Sequence, residues 1–366
     1  MDVDVVVIGG GIAGVSAAAF LSERADVVLV EAEQALGYHA TGRSAALYTE
    51  CYGPGGIPRL AKASKWFFTS PSGPLASPRG VLFVGDESQK QTIRSLEDQF
   101  APTVPDLRRL SAAETLEYCD ALRPDAVSAG LLEPGAMDLD VHGIETAFRR
   151  QATSAGAVFM LDHRVERIDY DGSWTVHAGG STLRAPTIVN GAGAWGDEVA
   201  QLAGVPPIGL SPLKRSAFLA STDLRSEGWP LVVDAGEQWY FKPEGPNILG
   251  SAAAEIPTPP SDARPDEVDI ALGIERINTS TTLGIRSVTS TWAGLRTFAA
   301  DREPVVGFED EFPGFFWLVG QGGYGIKTAP ALGQMTAGLI LDGHVPDDLA
   351  ALHLTAASIA PDRFRR

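Results

Sequence analysis

The start of the chain alternates short apolar runs with polar or glycine-rich breaks. Residues Val3–Ile8 are almost all β-branched, with Asp4 as the polar exception, which predicts a fully buried parallel strand. An alanine-rich stretch over Val15–Glu23 predicts a helix, and Asp26–Val30 predicts a second strand that ends at Glu31. The pattern therefore predicts a strand–turn–helix–strand unit of an α/β fold.

The turn in this unit has the spacing G-x-G-x-x-G at Gly9, Gly11 and Gly14. The first glycine permits a tight turn, the second lets backbone amides approach a pyrophosphate, and the third lets the helix pack closely on the sheet. The helix N-terminus offers unpaired amides to the phosphates. Glu31 can accept hydrogen bonds from ribose hydroxyls and would repel a 2′-phosphate. The five parts in this order predict a site for FAD or NAD rather than NADP.

Short strands and loops are also predicted further along the chain, without an internal repeat. The predicted strands are Ala157–Met160, Thr187–Val189, Phe315–Val319, the alternating segment Gln238–Lys242, and a hairpin of Arg164–Tyr170 with Trp174–His177. The predicted loops are Pro243–Gly245, Pro257–Pro260 and the glycine-rich Gly320–Thr328, the last leading into a helix over Ala329–Leu341.

The charge balance excludes one class of partner. The 366 residues contain 29 Lys and Arg against 46 Asp and Glu, which gives a net charge of −17. A protein this acidic repels polyanions, so we expect no nucleic-acid partner and no binding to anionic membranes. It can still bind a small anion in a locally positive pocket.

Cysteine use and hydropathy indicate the compartment. Cys51 and Cys119 are far apart, and no Cys/His cluster has zinc spacing, so neither a disulfide framework nor a metal site is expected. No basic segment precedes the first apolar run, and no apolar stretch approaches the ~20 residues that span a bilayer. We therefore expect a cytoplasmic protein without an integral membrane segment, of undetermined oligomeric state.

The loop after the second strand favours FAD over NAD. Its sequence, Gly37-Tyr38-His39-Ala40-Thr41-Gly42-Arg43-Ser44-Ala45-Ala46, replaces the further plain βα unit expected of a nicotinamide enzyme. It resembles the FAD-dependent D-amino acid oxidase superfamily, in the glycine oxidase and sarcosine oxidase branch, and most of all the D-arginine dehydrogenases. Similar stretches are Val189–Trp195, Lys214–Phe218, Thr291–Arg296 and Gly320–Ile326.

This resemblance implies two interleaved domains. A Rossmann-like FAD-binding domain would comprise residues 1–80, 140–205 and 295–350. An α+β substrate domain on a mixed or antiparallel sheet would comprise 81–139 and 206–294, and 351–366 would form a C-terminal tail. The resemblance also implies non-covalent FAD, because the region of the C-terminal glycine motif lacks the cysteine to which covalent sarcosine oxidases attach their flavin.

The resemblance together with the glycine motif gives the expected cofactor residues. They are Gly9, Gly11, Ile12, Ala13, Gly14, Glu31, Thr41, Gly42, Arg43, Ser44, Ala45, Ala46, Val165, Gly191, Ala192, Trp195, Gly322, Gly323, Tyr324, Gly325, Ile326 and Lys327. His39 is expected to have a structural role near the cofactor.

Five residues are candidates for binding and orienting the substrate. Arg296, in the motif Trp292–Arg296, resembles the arginine that binds the substrate carboxylate, since a guanidinium fork meets a carboxylate bidentately. Tyr240 resembles a tyrosine that donates to the same carboxylate, and Tyr52 one that covers the substrate. Arg215 resembles an arginine that lies in the active site of the D-arginine enzymes. The alternative for both tyrosines is a core aromatic residue, and the alternative for Arg296 and Arg215 is a surface arginine.

Lys327 has two interpretations that both place it in the site. In sarcosine oxidases a lysine of the matching glycine motif helps to hold the substrate carboxylate, whereas D-arginine dehydrogenases have glutamine there. The alternative is charge compensation near the flavin pyrimidine ring. If Arg296, Arg215 and Lys327 are three free cations, a substrate with two carboxylates, such as an N-carboxymethyl amino acid, would use the excess.

Departures from the D-arginine dehydrogenases affect the predicted substrate. Val81 stands where those enzymes have the glutamate that pairs with the substrate guanidinium, and Leu47 where they have an active-site histidine. With Gln321, these residues would line the substrate pocket. Because an unpaired charge in a pocket is costly, D-arginine should be a poor substrate, and a neutral or apolar tail should be preferred.

We therefore expect FAD-dependent oxidative deamination at the Cα–N bond of a D-amino acid or N-substituted glycine, with hydride transfer to flavin N5 and imine hydrolysis. Oxygen or a quinone would be the electron acceptor. The alternatives are a D-arginine-type broad D-amino acid dehydrogenase that uses a quinone, an NAD-dependent dehydrogenase, and a non-catalytic flavin-binding protein.

Overall fold

A mostly parallel sheet of six strands contains the predicted strand–turn–helix–strand unit. The computed structural model describes residues 1–70, 75–224 and 226–365, so residues 71–74, 225 and 366 of the predicted domains and tail lie outside it. Strands and helices are numbered here in chain order. The spatial order is β20 (Val305–Phe308), β21 (Phe315–Val319), β13 (Thr187–Asn190), β1 (Val5–Ile8), β2 (Val27–Val30) and β9 (Val158–Met160). Only the edge pair β20–β21 is antiparallel.

Both faces of this sheet are covered, which explains the continuous apolar run in β1. Val5 and Val7 pack against helices on one face, whereas Val6 and Ile8 pack toward a three-stranded antiparallel sheet on the other. The helices on the first face are α1 (Ile12–Leu21), α2 (Ile57–Phe68), α5 (Val141–Ser154) and α8 (Gly325–Ala337). The three strands are β10 (Val165–Tyr170), β11 (Trp174–Ala178) and β12 (Ser181–Ala185).

A mixed sheet of nine strands forms the second part of the fold. Its spatial order is β18 (Ile256–Pro257), β14 (Ser211–Ser221), β17 (Asn247–Ser251), β16 (Tyr240–Glu244), β15 (Leu231–Asp234), β5 (Val81–Gly85), β7 (Ala129–Glu133) and β6 (Arg108–Ser111), with β19 (Ser290–Phe298) also paired to β14. Only β5 and β15 run parallel; the other pairs are antiparallel.

Smaller elements complete the fold. A third antiparallel sheet contains β3 (Leu47–Tyr48), β8 (Met137–Leu139) and β4 (Ala76–Pro78). The other α-helices are α3 (Lys90–Phe100), α4 (Ala112–Tyr118), α6 (Gly196–Leu202), α7 (Glu267–Ser280), α9 (Asp347–Ala350) and α10 (Ala356–Ile359). Short 3-10 turns occur at Glu87–Gln89, Pro124–Ala126, Gly193–Trp195 and Pro361–Phe364, and a π-helical turn at Gly338–Asp342. No helix in the described ranges is long and apolar enough to cross a membrane.

The predicted fold class is confirmed, with three local corrections. Pro257, predicted as the start of a loop, belongs to β18, because it pairs with Leu213 of β14. The helix predicted over Ala329–Leu341, α8, begins at Gly325, because the segment predicted as loop already makes the helical hydrogen bond from Thr328 N to Tyr324 O. Pro243 and Glu244, predicted as loop, belong to β16 because the strand continues its pairing with Ile248 and Asn247 of β17. The predicted boundary at 294/295 lies inside β19, so we propose that the substrate domain extends to Phe298.

Candidate active site

A cavity of about 420 Å³ lies between the two large sheets. On one side it is lined by the turns that follow the carboxyl ends of β1, β2 and β13, and on the other by side chains of the nine-stranded sheet. Strand β1 has β2 on one side and β13 on the other, and ligands of open α/β sheets bind at such a point of divergence. This volume is within the usual range of small-molecule sites.

The glycine turn has the geometry that its sequence predicts. Gly9 has a φ of +106°, which disfavours any other residue. A Cβ at Gly14 would overlap the carbonyl oxygen of Gly9, so the helix can approach the turn only with glycine there. At Gly11 a Cβ would meet only Thr41 Oγ1, at 3.4 Å. The backbone is thus open toward the cavity at the N-terminus of α1, where phosphates bind.

Glu31 closes the turn from the end of β2. Its carboxylate accepts hydrogen bonds from the backbone amides of Gly10 (2.5 Å) and Glu33 (2.8 Å), and it lines the cavity. The residue is therefore fixed in position beside the expected ribose site.

Most of the predicted cofactor residues line this cavity. They are Gly9, Gly11, Ile12, Ala13, Glu31, Thr41, Arg43, Ser44, Ala45, Ala46, Val165, Gly191, Ala192, Trp195, Gly322, Gly323, Gly325, Ile326 and Lys327. Gly14, Gly42 and Tyr324 lie behind the wall. Gly42 packs against the carbonyl of Gly37, and the Tyr324 ring packs on Tyr52 with centroids 5.3 Å apart.

Arg43 links the loop to the second sheet. Its guanidinium donates to the carbonyls of Ala263 (2.8 Å) and Ala293 (3.1 Å) and pairs with Asp262 at 2.5 Å. The indole of Trp292 in β19 donates to the Arg43 carbonyl at 2.9 Å. Arg43 therefore fixes the loop against the nine-stranded sheet, and its guanidinium already has protein partners.

Three buried polar atoms in the cavity residues have no hydrogen-bond partner: His39 Nδ1, Thr297 Oγ1 and Gln321 Nε2. Buried polar groups normally have partners, so these atoms indicate a polar ligand. Together with the open glycine turn, they fit a dinucleotide carrying a polar ring system. Thr297 was not identified from sequence; its position in β19, one residue after Arg296, was the available signal.

The register of the nine-stranded sheet brings distant residues to one face. Leu213 of β14 is opposite Arg296 of β19, and Arg215 is opposite Gly294, so Arg215 and Arg296 share a face at diagonal positions. On the same cavity wall, Val81 and Phe83 of β5 pair with Leu231 and Val233 of β15, and Val233 pairs with Tyr240. The face is thus cationic at β14 and β19 and apolar at β5 and β15, with Tyr240 between them.

Arg296 is held from two sides. Its Nη2 donates to the Tyr52 hydroxyl at 2.8 Å, and its Nη1 donates to Glu255 Oε1 at 3.1 Å. The backbone of Gly323 lies directly against the guanidinium, where a Cβ would collide with it. Burial would lower the pKa of Arg296, but Tyr52, Tyr324 and Glu255 raise it above its ordinary value. The residue is a fixed, permanently charged group in the wall.

Glu255 contacts the candidate arginines and was not identified from the sequence. It lies outside the cavity lining and receives hydrogen bonds from Arg296, Arg302 and Arg215, at 2.8 to 3.4 Å. Burial raises its pKa, but the hydrogen bond from Arg302 and the charges of the three arginines outweigh burial and lower it. The three predicted cations therefore include two, Arg215 and Arg296, that already share an internal carboxylate.

Lys327, the third cation, also has internal partners. Its ammonium is buried and donates to the carbonyls of Thr49 (2.8 Å) and Tyr52 (2.7 Å). Burial lowers its pKa to about 7, although the nearby Glu133 favours the charged form. Glu133 accepts from Thr49 Oγ1 and from the amide of Glu50, and burial raises its pKa.

All the residues predicted to contact the substrate line the cavity. They are Leu47, Val81 and Gln321 of the predicted pocket, and the candidates Tyr52, Tyr240, Arg215, Arg296 and Lys327. Glu237, which was not predicted, also lines it, from the turn between β15 and β16. The roles of all these residues remain predictions. Neither cysteine lines the cavity; both are buried and free.

The fold and the cavity define an oxidoreductase with a dinucleotide cofactor. The family model "DAO: FAD dependent oxidoreductase" matches residues 4–339. The chain therefore belongs to this family of FAD-dependent enzymes, and FAD rather than NAD is its cofactor.

Known proteins agree with this assignment. The chain is 26% identical over 358 residues to glycine oxidase of Bacillus licheniformis, covering 93% of this chain and 94% of that one. L-proline dehydrogenase from P. horikoshii has a similar structure (TM-score 0.86, 24% identity, 99% and 98% coverage). So does iminodiacetate oxidase from Chelativorans sp. (TM-score 0.82, 20% identity, 98% of both chains).

Coverage differs among the relatives. The bovine FAD-dependent oxidoreductase domain-containing protein 1 is 30% identical over 184 residues, but the match covers 43% of this chain and only 36% of that protein.

Proposed function

We propose that this chain oxidises the Cα–N bond of a D-amino acid or an N-substituted glycine with a neutral or apolar tail. The observation that carries the proposal is the division of one sheet face into a cationic end at Arg296 and an apolar end at Val81, Phe83, Leu231 and Val233. A carboxylate and an apolar tail would occupy these two ends. The full-length similarity to glycine oxidase supports the same class of substrate.

Arg296 would anchor the substrate carboxylate. The guanidinium is fixed by Tyr52 and Glu255, so little side-chain entropy is lost when a carboxylate binds. Tyr240, in the middle of the face, can donate its hydroxyl to the same carboxylate. With the carboxylate fixed at one end and the tail at the other, the Cα–H bond has a defined direction.

When bound, FAD supplies the acceptor for the hydride that leaves Cα. The amine must be neutral for its lone pair to assist this step. On the side of the nine-stranded sheet, the carboxylate of the described cavity wall is that of Glu237, which is exposed. Of the carboxylates on the described cavity wall, Glu31, Glu33 and Glu198 belong to the dinucleotide side. The apolar wall excludes water from the reacting carbon. The resulting imine takes up water and gives an oxo acid and an amine or ammonia.

A broad D-amino acid dehydrogenase that accepts D-arginine is the second candidate. Val81 and Leu47 offer no counter-ion for a guanidinium, but Glu237 is an exposed carboxylate on the cavity wall. If a long cationic tail reaches Glu237, its charge would be paired there, and the predicted discrimination against D-arginine would disappear.

A substrate screen on the FAD-loaded protein separates these candidates. The flavin absorbance is followed without oxygen as D- and L-leucine, D-arginine and N-ethylglycine are added. We expect bleaching by D-leucine or N-ethylglycine and slow or no bleaching by D-arginine. Faster bleaching by D-arginine, abolished in Glu237→Gln, would establish the second candidate instead. No bleaching by any amine would support a non-catalytic flavoprotein.

The electron acceptor is tested in the same preparation. Peroxide formed during turnover in air would indicate an oxidase. Turnover with a soluble quinone and no peroxide would indicate a dehydrogenase.

A further inference from the structure

Glu255 is shared by three arginines that come from different strands and turns. Its Oε1 accepts from Arg296 Nη1 at 3.1 Å, from Arg215 Nη2 at 3.4 Å and from Arg302 Nη2 at 2.8 Å. Its Oε2 accepts from Arg302 Nη1 at 3.0 Å. Arg215 and Arg296 line the cavity, whereas Glu255 and Arg302 lie behind them.

The backbone carbonyls that precede Glu255 also bind Arg215. The Arg215 guanidinium donates to the carbonyls of Ala253 (2.7 Å) and Ala254 (3.2 Å) as well as to Glu255. Ala253 has a φ of +53°, a left-handed conformation that is uncommon for alanine. This segment therefore engages donors that would otherwise face the cavity.

We propose that Glu255 is a specificity-determining residue: it acts as an internal second carboxylate and restricts the site to substrates with one carboxylate. The identity of the substrates rests on the proposed function, but the charge preference of the site does not.

The charges support this role. Without Glu255, Arg215 would keep its carbonyl partners and Arg296 its bond to Tyr52, but the two adjacent positive charges would have no shared carboxylate, and a dicarboxylate could pair with both. With Glu255 ionised between them, a second substrate carboxylate near Arg215 would meet an anion that is already in place. The repulsion between the two carboxylates opposes binding.

The test uses two carboxylates that cannot be oxidised at a C–N bond. Glutarate has the chain length of iminodiacetate with a methylene in place of the amine, and butyrate has one carboxylate only. Their dissociation constants are measured on the FAD-loaded protein from the change in flavin absorbance. We expect the wild type to bind glutarate no more tightly than butyrate, and Glu255→Gln to favour glutarate by about tenfold or more relative to wild type.

Control variants separate this role from a general structural one. Glu244→Gln removes an equal charge from the same sheet, at a carboxylate paired with Lys242 at 2.9 Å, and should leave the ratio unchanged. Glu255→Asp keeps the charge and should restore the wild-type preference. If Glu255→Gln does not fold, Arg215→Gln provides the test, since it should change the glutarate-to-butyrate ratio by less than about threefold.

The proposal would be overturned by wild-type protein that binds glutarate more than about tenfold tighter than butyrate, or by an unchanged ratio in Glu255→Gln. A tenfold loss of glutarate affinity in Arg215→Gln would do the same. Because these are binding measurements, a shift in the ratio without oxidation of any amine would reject only the proposed function.

Discussion

Replacing Arg296 by lysine tests the proposed carboxylate site while keeping its charge. The Arg296 side chain is 13% exposed, and its guanidinium contacts two partners, Tyr52 and Glu255. A lysine ammonium is a point charge without a planar fork. It can keep a contact with Glu255 but cannot also present a bidentate pair of donors to a substrate carboxylate.

The expected loss follows from the hydrogen bonds. A hydrogen bond to a charged group contributes about 1.5–3 kcal/mol, and at least one such bond to the carboxylate is lost. The dissociation constant of butyrate should therefore rise about 10- to 150-fold in Arg296→Lys, and kcat/KM for the best amine substrate should fall by a similar factor. Both are measured on protein with matched FAD content.

Arg302→Lys is the matched control. Arg302 binds the same carboxylate, Glu255, but does not line the cavity, and its side chain is 40% exposed. We expect less than about a threefold change in butyrate affinity for this variant. An equally small change in Arg296→Lys would refute the assignment of Arg296 as the anchor and leave Tyr240 or Lys327 as the main contact.

Three further predictions concern the cofactor, the pH dependence and the tail. Gly14→Ala should lower the FAD content of the purified protein, because the added Cβ overlaps the carbonyl of Gly9. Gly135→Ala should leave the FAD content unchanged, because nothing lies within 4 Å of the added Cβ there. The ratio of flavin to protein absorbance measures the FAD content. Burial lowers the pKa of Lys327 to about 7, so its charge is lost as the pH rises through that value. Butyrate affinity should then fall as the pH rises from about 6 to 9, and Lys327→Met should flatten this dependence; an unchanged profile would contradict the role of Lys327. Val81→Glu should raise the kcat/KM of D-arginine relative to D-leucine about tenfold or more, because it returns a counter-ion to the apolar end, and an unchanged ratio would contradict the predicted position of the tail.

The nucleotide-binding half was predictable because its signals are local. Gly14, for example, lies directly against the carbonyl of Gly9, five positions earlier in the chain. Glu31 follows its strand directly and binds the amide of Gly10. In such a unit, sequence spacing determines spatial position, so the motif and its ligand class follow from the printed sequence.

The substrate side was only partly predictable because it depends on sheet register. Similarity to a known family indicated Arg296, Tyr240 and Tyr52, but not what surrounds them. Glu255 follows three alanines, with no motif. It meets Arg296 because it directly precedes β18, which pairs with β14 with Ile256 opposite Lys214, while β14 pairs with β19 with Leu213 opposite Arg296. A shift of one residue would turn the arginines to the other face.

The net charge of −17 therefore does not indicate the charge of the pocket, which depends on how the charged residues in its wall are paired. Counting Arg215, Arg296 and Lys327 as free cations predicts a strongly positive pocket. Yet Glu255 binds the two arginines, and Lys327, with carbonyl partners and Glu133 nearby, has a pKa low enough for it to be partly neutral near pH 7. A substrate can therefore use only those hydrogen-bond donors that are not already bound to these internal partners. The selectivity of the site should therefore respond more to removing a hidden carboxylate than to changing the surface charge, which is screened by salt.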